Sequence, residues 1–245
     1  MIDSHAHIFS EYYNVDDLVK ELKKDNVIKV VNCATSKKDI IEVIELGKKY
    51  NNYLLPAIGY HPENVSEFDF EFLEKTLKEN KVFAIGEIGL DYYWVKDNKE
   101  KQKEIFIKQI ELAKKYDLPV IVHTRDSIQD TYDILKNSNV KAIIHCFSGS
   151  YEMANEFIKL GFKLGIGGVL TFKNSKLHEV IEKIDLKNIL LETDSPYLSP
   201  EPNRGKQNIP SNVFYVAKKI SEIKNISVDD VIKITANNFI EFFDI

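Results

Sequence analysis

Within its first seven residues the chain sets His5 and His7 on either side of one alanine, in MIDSHAHIFS. If residues 2 to 8 run as a β-strand, side chains two apart share a face, so His5, His7 and Asp3 project together as a metal-friendly edge. A lone histidine pair is a weak signal. Its weight comes from His61, Glu87, Asp91, His123, Arg125, His145, Glu192 and Asp194, each of which closes a short apolar run further along. Five of the six histidines occupy such positions. The sixth, His178, lies in a helical pattern and is assigned no function.

Neutral imidazoles with a few carboxylates suit Zn²⁺, Mn²⁺, Co²⁺, Ni²⁺ or Fe²⁺ better than an all-oxygen ion such as Ca²⁺. The set exceeds what one ion needs. His5, His7, His123 and His145 with Glu87 and Asp194 can hold two ions ~3.5–4 Å apart, bridged by a carboxylate and a hydroxide. Such a pair acidifies bound water and stabilises charge on attacking and leaving oxygens. For His61 taken singly, a satisfied half-buried histidine is the stronger reading. Arg125 lies two residues beyond His123, where it can meet a phosphate or pair with Asp126 or Asp91.

These residues need a scaffold that delivers strand ends to one place. Eight β-rich runs are present, at 2–8, 28–35, 54–62, 82–91, 119–126, 141–149, 163–172 and 189–196. Helical periodicity fills the intervals at 15–25, 37–50, 66–79, 99–116, 127–137, 150–160 and 174–184. Two more helices follow the last strand, at 211–222 and 228–242, the latter opened by a capping-box pattern of Ser227 and Asp230. Apolar strands alternating with helices predict a parallel sheet, and eight repeats favour a single (β/α)8 TIM barrel with an extra C-terminal helix, an α/β fold spanning 1–245 as one domain. In a barrel all eight strand ends emerge at the face where active sites are built. An open doubly wound sheet is the runner-up, but HAHIFSEYY lacks the glycine turn that such a fold places after its first strand.

Composition sets the outer limits. Hydrophobic residues make up 44% and charged residues 29%, enough for a sizeable core. No apolar run reaches membrane-spanning length and no leader pattern opens the chain, so a cytoplasmic location without membrane partner is expected. Cys33 and Cys146 fall in strand runs and read as core residues. A net charge of −5 argues against a passive nucleic-acid coat. It is compatible with an enzyme on nucleic acid, because bound cations and local arginines supply positive potential that the sum hides.

The stretches DSHAH, GYHPE, GEIGLDYY, QIELAKKYDLPVIVHTRD, HCFSGS, GIGGVLTFKN, ETDSPYLSP, RGKQNIPSNV and TANNFIEFF together resemble the TatD family of metal-dependent hydrolases and deoxyribonucleases, within the amidohydrolase-like barrel superfamily, from end to end of the chain. The resemblance implies that His5, His7, Glu87 and Asp194 hold one ion and that Glu87, His123 and His145 hold the second, with Glu87 as the bridge. His61 and Glu192 are candidates for a third ion or for substrate positioning. Two divalent ions per chain, or three, are implied, with Zn, Mn, Mg, Co or Ni as the candidates. The implied activity is hydrolysis of phosphodiester bonds in DNA, typically exonucleolytic on single strands, with no obligate protein partner. In the mechanism both readings support, a bridging hydroxide attacks phosphorus, Asp194 takes up its proton, and Glu87 and Asp194 are the catalytic carboxylates. Arg125, Arg204 and Lys206 are candidates for holding phosphates. Gln207 stands where a common family form has arginine, which weakens the late loop as a phosphate site. Tyr60, Tyr92, Tyr93, Trp94 and Phe147 can stack bases or simply pack.

Two rivals follow from the same residues. The site can attack a carboxylic ester or amide, as in a D-aminoacyl-tRNA deacylase. Many amidohydrolases bridge their metals with a carboxylated lysine on the fourth strand, where this chain offers Glu87 and no lysine between Lys81 and Lys96. The other rival is a catalytically silent metal-binding scaffold, which a complete ligand set disfavours.

Overall fold

The eight apolar runs become the strands β1 (Ile2–Ala6), β2 (Lys29–Cys33), β3 (Leu54–Ile58), β4 (Ala84–Asp91), β5 (Val120–Arg125), β6 (Ala142–Ile144), β7 (Lys163–Ile166) and β8 (Ile189–Leu191). They follow chain order in one sheet, with helices α1 (Val15–Lys24), α2 (Lys37–Lys49), α3 (Phe70–Glu79), α4 (Lys99–Lys115), α5 (Ile128–Leu135), α6 (Tyr151–Lys159) and α7 (Leu177–Lys183) in the intervals. After β8 come α8 (Val213–Lys224) and α9 (Val228–Phe243), one helix more than the repeat requires. This is the (β/α)8 order expected of a TIM barrel. The computed structural model describes residues 1–94 and 96–245. Among these residues, no helix is long and apolar enough to cross a membrane.

The chain forms two compact units, one of residues 1–31 with 145–245 and one of residues 32–144. In the first, β7 and β8 run parallel, pairing Leu164 with Ile189 and Ile166 with Leu191. Ala6 meets Ser195 in a parallel bridge, bringing the first strand against the segment that follows the last. Ser227 caps α9, its hydroxyl accepting from the Asp230 N–H and donating to the Asp230 carboxylate.

In the second unit β3, β4, β5 and β6 pair in parallel succession. Between Ile85 and Ile88, three residue steps of β4 oppose the two steps from Val120 to Val122 of β5. This irregularity falls where Gly86 and Glu87 stand, and such a bulge re-aims the side chain it carries. Beyond it Gly89 lies opposite His123 with φ of 146°, and a Cβ there would collide with the His123 carbonyl. Glycine is the residue that permits this approach.

Several strands stop earlier than the apolar runs suggest, by the widest margins β3 at Ile58, β6 at Ile144, β7 at Ile166 and β8 at Leu191. Cys146 therefore lies past β6 rather than within it. The physical reason is backbone conformation, since Cys146 and Asp194 adopt left-handed φ values of 46° and 56° that no ladder accommodates. Likewise, the helix expected over 66–79 divides into a 3-10 turn, Pro62–Glu67, and α3, because the Asp69 carboxylate caps Phe72 N–H and starts a new helix.

Replacing Gly89 by Ala is expected to destabilise the fold by about 1–3 kcal/mol, the usual cost of an imposed disfavoured backbone conformation. Urea unfolding followed by circular dichroism measures it. An unchanged midpoint would show that β4 and β5 can move apart there.

Candidate metal centre

In the unit formed by residues 1–31 and 145–245, the strand alternation holds for the opening histidines. His7 N–H donates to the Ser195 carbonyl, extending the line of β1 by one residue. The Nε2 atoms of His5 and His7 lie 3.1 Å apart, and Asp194 Oδ1 stands 3.6 and 3.4 Å from them. All three donor atoms fall within 4.8 Å of one another, a spacing that could hold one ion.

Asp3 does not join them, contrary to the same-face expectation. Its buried carboxylate accepts from the Thr193 N–H and hydroxyl and from the His5 N–H. It therefore braces the segment that presents Asp194. Asn208, also buried, braces that segment from the other side by donating to the carbonyls of Thr193 and Tyr197.

His145 lies one residue past β6, its ring stacked on His5 with centroids 3.8 Å apart. Glu192 Oε1 is 3.3 Å from its Nδ1 and accepts from the Cys146 N–H at 2.7 Å. The carboxylate thus stands beside the imidazole, where outer carboxylates stand behind histidine ligands. The slot for Glu192 is made by β7 and the residue beyond it. A Cβ on Gly165 would collide with the carboxylate, and one on Gly167 would lie 3.5 Å from Glu192 Cγ. Glu192, expected as a third-ion or substrate candidate, stands beside His145 here, a contact that the run ILLETDSP does not reveal.

In the unit formed by residues 32–144, Glu87 Oε1 is 2.8 Å from His123 Nδ1 and 3.7 Å from His61 Nε2. These donors too lie within 4.8 Å of one another. His61 Nδ1 accepts from the Glu63 N–H, which leaves its Nε2 directed at the carboxylate. On the far side of His123, Asp91 Oδ2 stands 3.1 Å from Nε2. Asp91 is therefore to His123 what Glu192 is to His145.

Two buried glutamines of α4 hold this edge in place. Gln102 accepts from Asp91 N–H and donates to Asp91 C=O, and Gln109 does the same for Tyr60. They satisfy main-chain groups at strand ends where the ladder stops. Their only trace in the sequence is a seven-residue spacing, two turns apart on the apolar face of α4.

Burial alone would raise the carboxyl of Asp194, but the His7 hydrogen bond and the positive charge of His145, His5 and His7 hold it below the ordinary carboxylate range. Asp91 behaves alike: burial works upward and is outweighed by His123 and by the amides of Trp94 and Tyr93. Asp3 lies well above the ordinary range because desolvation dominates. Asp194 and Asp91 thus favour the ionised form, which a ligand must adopt.

The donors fit divalent metal binding. They are imidazoles and carboxylates, buried or half-buried, and Glu192 Oε2 is a buried oxygen without a hydrogen-bond partner among the described residues. The phosphate candidates are placed differently. The Arg125 guanidinium lies 4.1 Å from the Tyr93 ring centroid, while Asp91, one of its expected partners, faces His123. Arg204 lies 3.9 Å from the centroid of Phe172, and Lys206 is exposed. His178 Nε2 donates to the Leu170 carbonyl at 2.9 Å, a structural contact.

Glu192→Ala is expected to weaken metal binding about 10- to 100-fold, the usual effect of removing a carboxylate behind a histidine ligand. Competition with a chromophoric chelator reads this, and wild-type affinity would refute the positioning role.

Comparison with known proteins gives the family to which the chain belongs. The family model described as TatD related DNase matches residues 2–244. The chain is 40% identical over 254 residues to YabD, an uncharacterized metal-dependent hydrolase of Bacillus subtilis, covering 100% of this chain and 99% of that one. It is 30% identical over 261 residues to the human deoxyribonuclease TATDN3, covering 99% and 94%. Among solved structures, YJJV, a TatD homolog from Escherichia coli K12, superposes with a TM-score of 0.92 at 31% identity, covering 100% of this chain and 98% of its own.

Proposed function

The chain belongs to the TatD family of metal-dependent hydrolases, and from that premise we propose that it hydrolyses phosphodiester bonds in DNA as an exonuclease on single strands. The observation that carries the reading is the convergence of the buried His5 Nε2 and His7 Nε2 with the half-buried Asp194 Oδ1, close enough to hold one cation. His5, His7 and Asp194 would hold one divalent ion and His123 and His145 the second, with Glu87 shared by both. His61 is the candidate for a third ion or for substrate.

Divalent ions held there supply Lewis acidity, lowering the pKa of water and neutralising charge on phosphate oxygens. The chain's own residues do the rest. Asp194 takes the proton of the attacking water as the new P–O bond forms. The bond from phosphorus to the leaving sugar oxygen breaks, and the same carboxyl returns the proton to that oxygen. Asp91 would orient the His123 ring, and Glu192 would stand behind His145. The DNA assignment is supported by the family description and by the human relative, whose name is that of a deoxyribonuclease.

Metal-reconstituted protein supplied with 3′-labelled single-stranded DNA and, separately, with aminoacyl-tRNA tests the assignment. Stepwise release of nucleotides is expected, abolished by chelator and lowered at least ~10³-fold by Glu87→Ala, because one change removes a ligand of both ions. Intact DNA beside rapid deacylation would transfer the activity to carboxylic esters.

A further inference from the structure

At the end of β4 the chain turns outward and three aromatic residues follow Asp91. Tyr92 faces inward: it is buried, and its hydroxyl donates to Asp130 at 2.7 Å. Tyr93 and Trp94 face outward, 44% and 62% exposed, with ring centroids 4.8 Å apart and planes nearly perpendicular. Arg125, in register with Asp91 across β4 and β5, lays its guanidinium 4.1 Å from the Tyr93 centroid and 5.3 Å from that of Trp94. The result is an exposed group of two rings and one cation. Packing does not account for it, because a folded chain gains by burying tryptophan, and this is its only one.

The group is tied to the metal centre. Asp91 Oδ1 accepts from the N–H groups of both Tyr93 and Trp94, at 2.9 and 2.8 Å, while Oδ2 of the same carboxylate faces His123. The loop that carries the rings and the histidine expected to ligate metal are therefore fixed by one residue. Arg125 also gives a chain of net charge −5 a local positive group beside these rings.

We propose that Tyr93, Trp94 and Arg125 form a stacking subsite for one unpaired nucleobase, seating the nucleotide next to the phosphodiester presented to Glu87 and His123. The subsite deepens the nuclease reading and rests on it. Every base has a π-face, so the platform grips strands without reading sequence. Bases inside a duplex are already stacked, so single strands or frayed ends are preferred. Arg125 acts here through the cation that it sets beside the rings, and the phosphate role considered for it from sequence becomes secondary.

Because Trp94 is the only tryptophan, its fluorescence reports the subsite directly. The full-length, metal-loaded protein is titrated with a single-stranded oligonucleotide carrying uncleavable phosphorothioate linkages, and with an abasic oligonucleotide of the same backbone and length. Base-bearing DNA is expected to shift the emission of Trp94 and to bind roughly 5- to 100-fold more tightly than the abasic strand. Trp94→Ala should erase that difference while the abasic strand binds as before, and Trp94→Phe should restore most of it. Equal affinity for the two strands, or an undiminished preference in Trp94→Ala, overturns the subsite. A natural oligonucleotide run alongside separates the two ideas. Its hydrolysis without base preference leaves the nuclease reading standing and removes the platform. Base-dependent binding without hydrolysis does the reverse.

Discussion

Imidazoles and carboxylates cannot be taken out of water unless each finds a partner, and this requirement organises the functional end of the molecule. Glu87, His5, His7, His145, Asp91, Glu192 and Asp3 are all buried. Each carboxylate is met by an imidazole, a hydroxyl or main-chain amides. Desolvation would neutralise an isolated carboxyl, and it does raise Asp3, whose neighbours are the hydroxyl and amides of Thr193 and His5. Where the neighbours are histidines, as for Asp194 and Asp91, the balance tips toward the charged form. Charge is thereby kept where a cation is to be held.

The supporting structure serves that balance. Strand ends leave main-chain groups without ladder partners, and α4 supplies Gln102 and Gln109 to satisfy them at Asp91 and Tyr60. Glycines make the space: Gly165 for the Glu192 carboxylate and Gly89 for the approach of β4 to His123. Left-handed residues at Cys146 and Asp194 turn the chain out of the strand direction just where a ligand must be offered. Such conformations are costly by themselves and persist because the surroundings determine them.

The outer edge of the site follows the same logic through Asp91. One oxygen orients a histidine and the other gathers two amides, so the position of an exposed aromatic pair is set by the interior. Tyr60, Tyr92 and Phe147 are buried packing residues, whereas Tyr93 and Trp94 stand in solvent beside Arg125. A run of aromatics that reads uniformly in the sequence is thus divided by the fold into packing and surface.

Residue type and spacing by themselves determined much. Alternating apolar runs and helical periods fixed the order of eight strands and their helices, because burial on both faces of a parallel sheet leaves a direct mark on sequence. The histidines and carboxylates at the run ends were legible because such residues are out of place in apolar strands. What only the tertiary structure decided is how each is oriented. That Asp3 braces a loop while Asp194 faces the histidines, that Glu192 backs His145, and that Arg125 lies on Tyr93 depend on neighbours up to 190 residues away in the chain. Local periodicity reports which face a residue is on. The partner that it meets there is set by long-range packing and the need to satisfy buried polar groups, and these leave no local pattern to read.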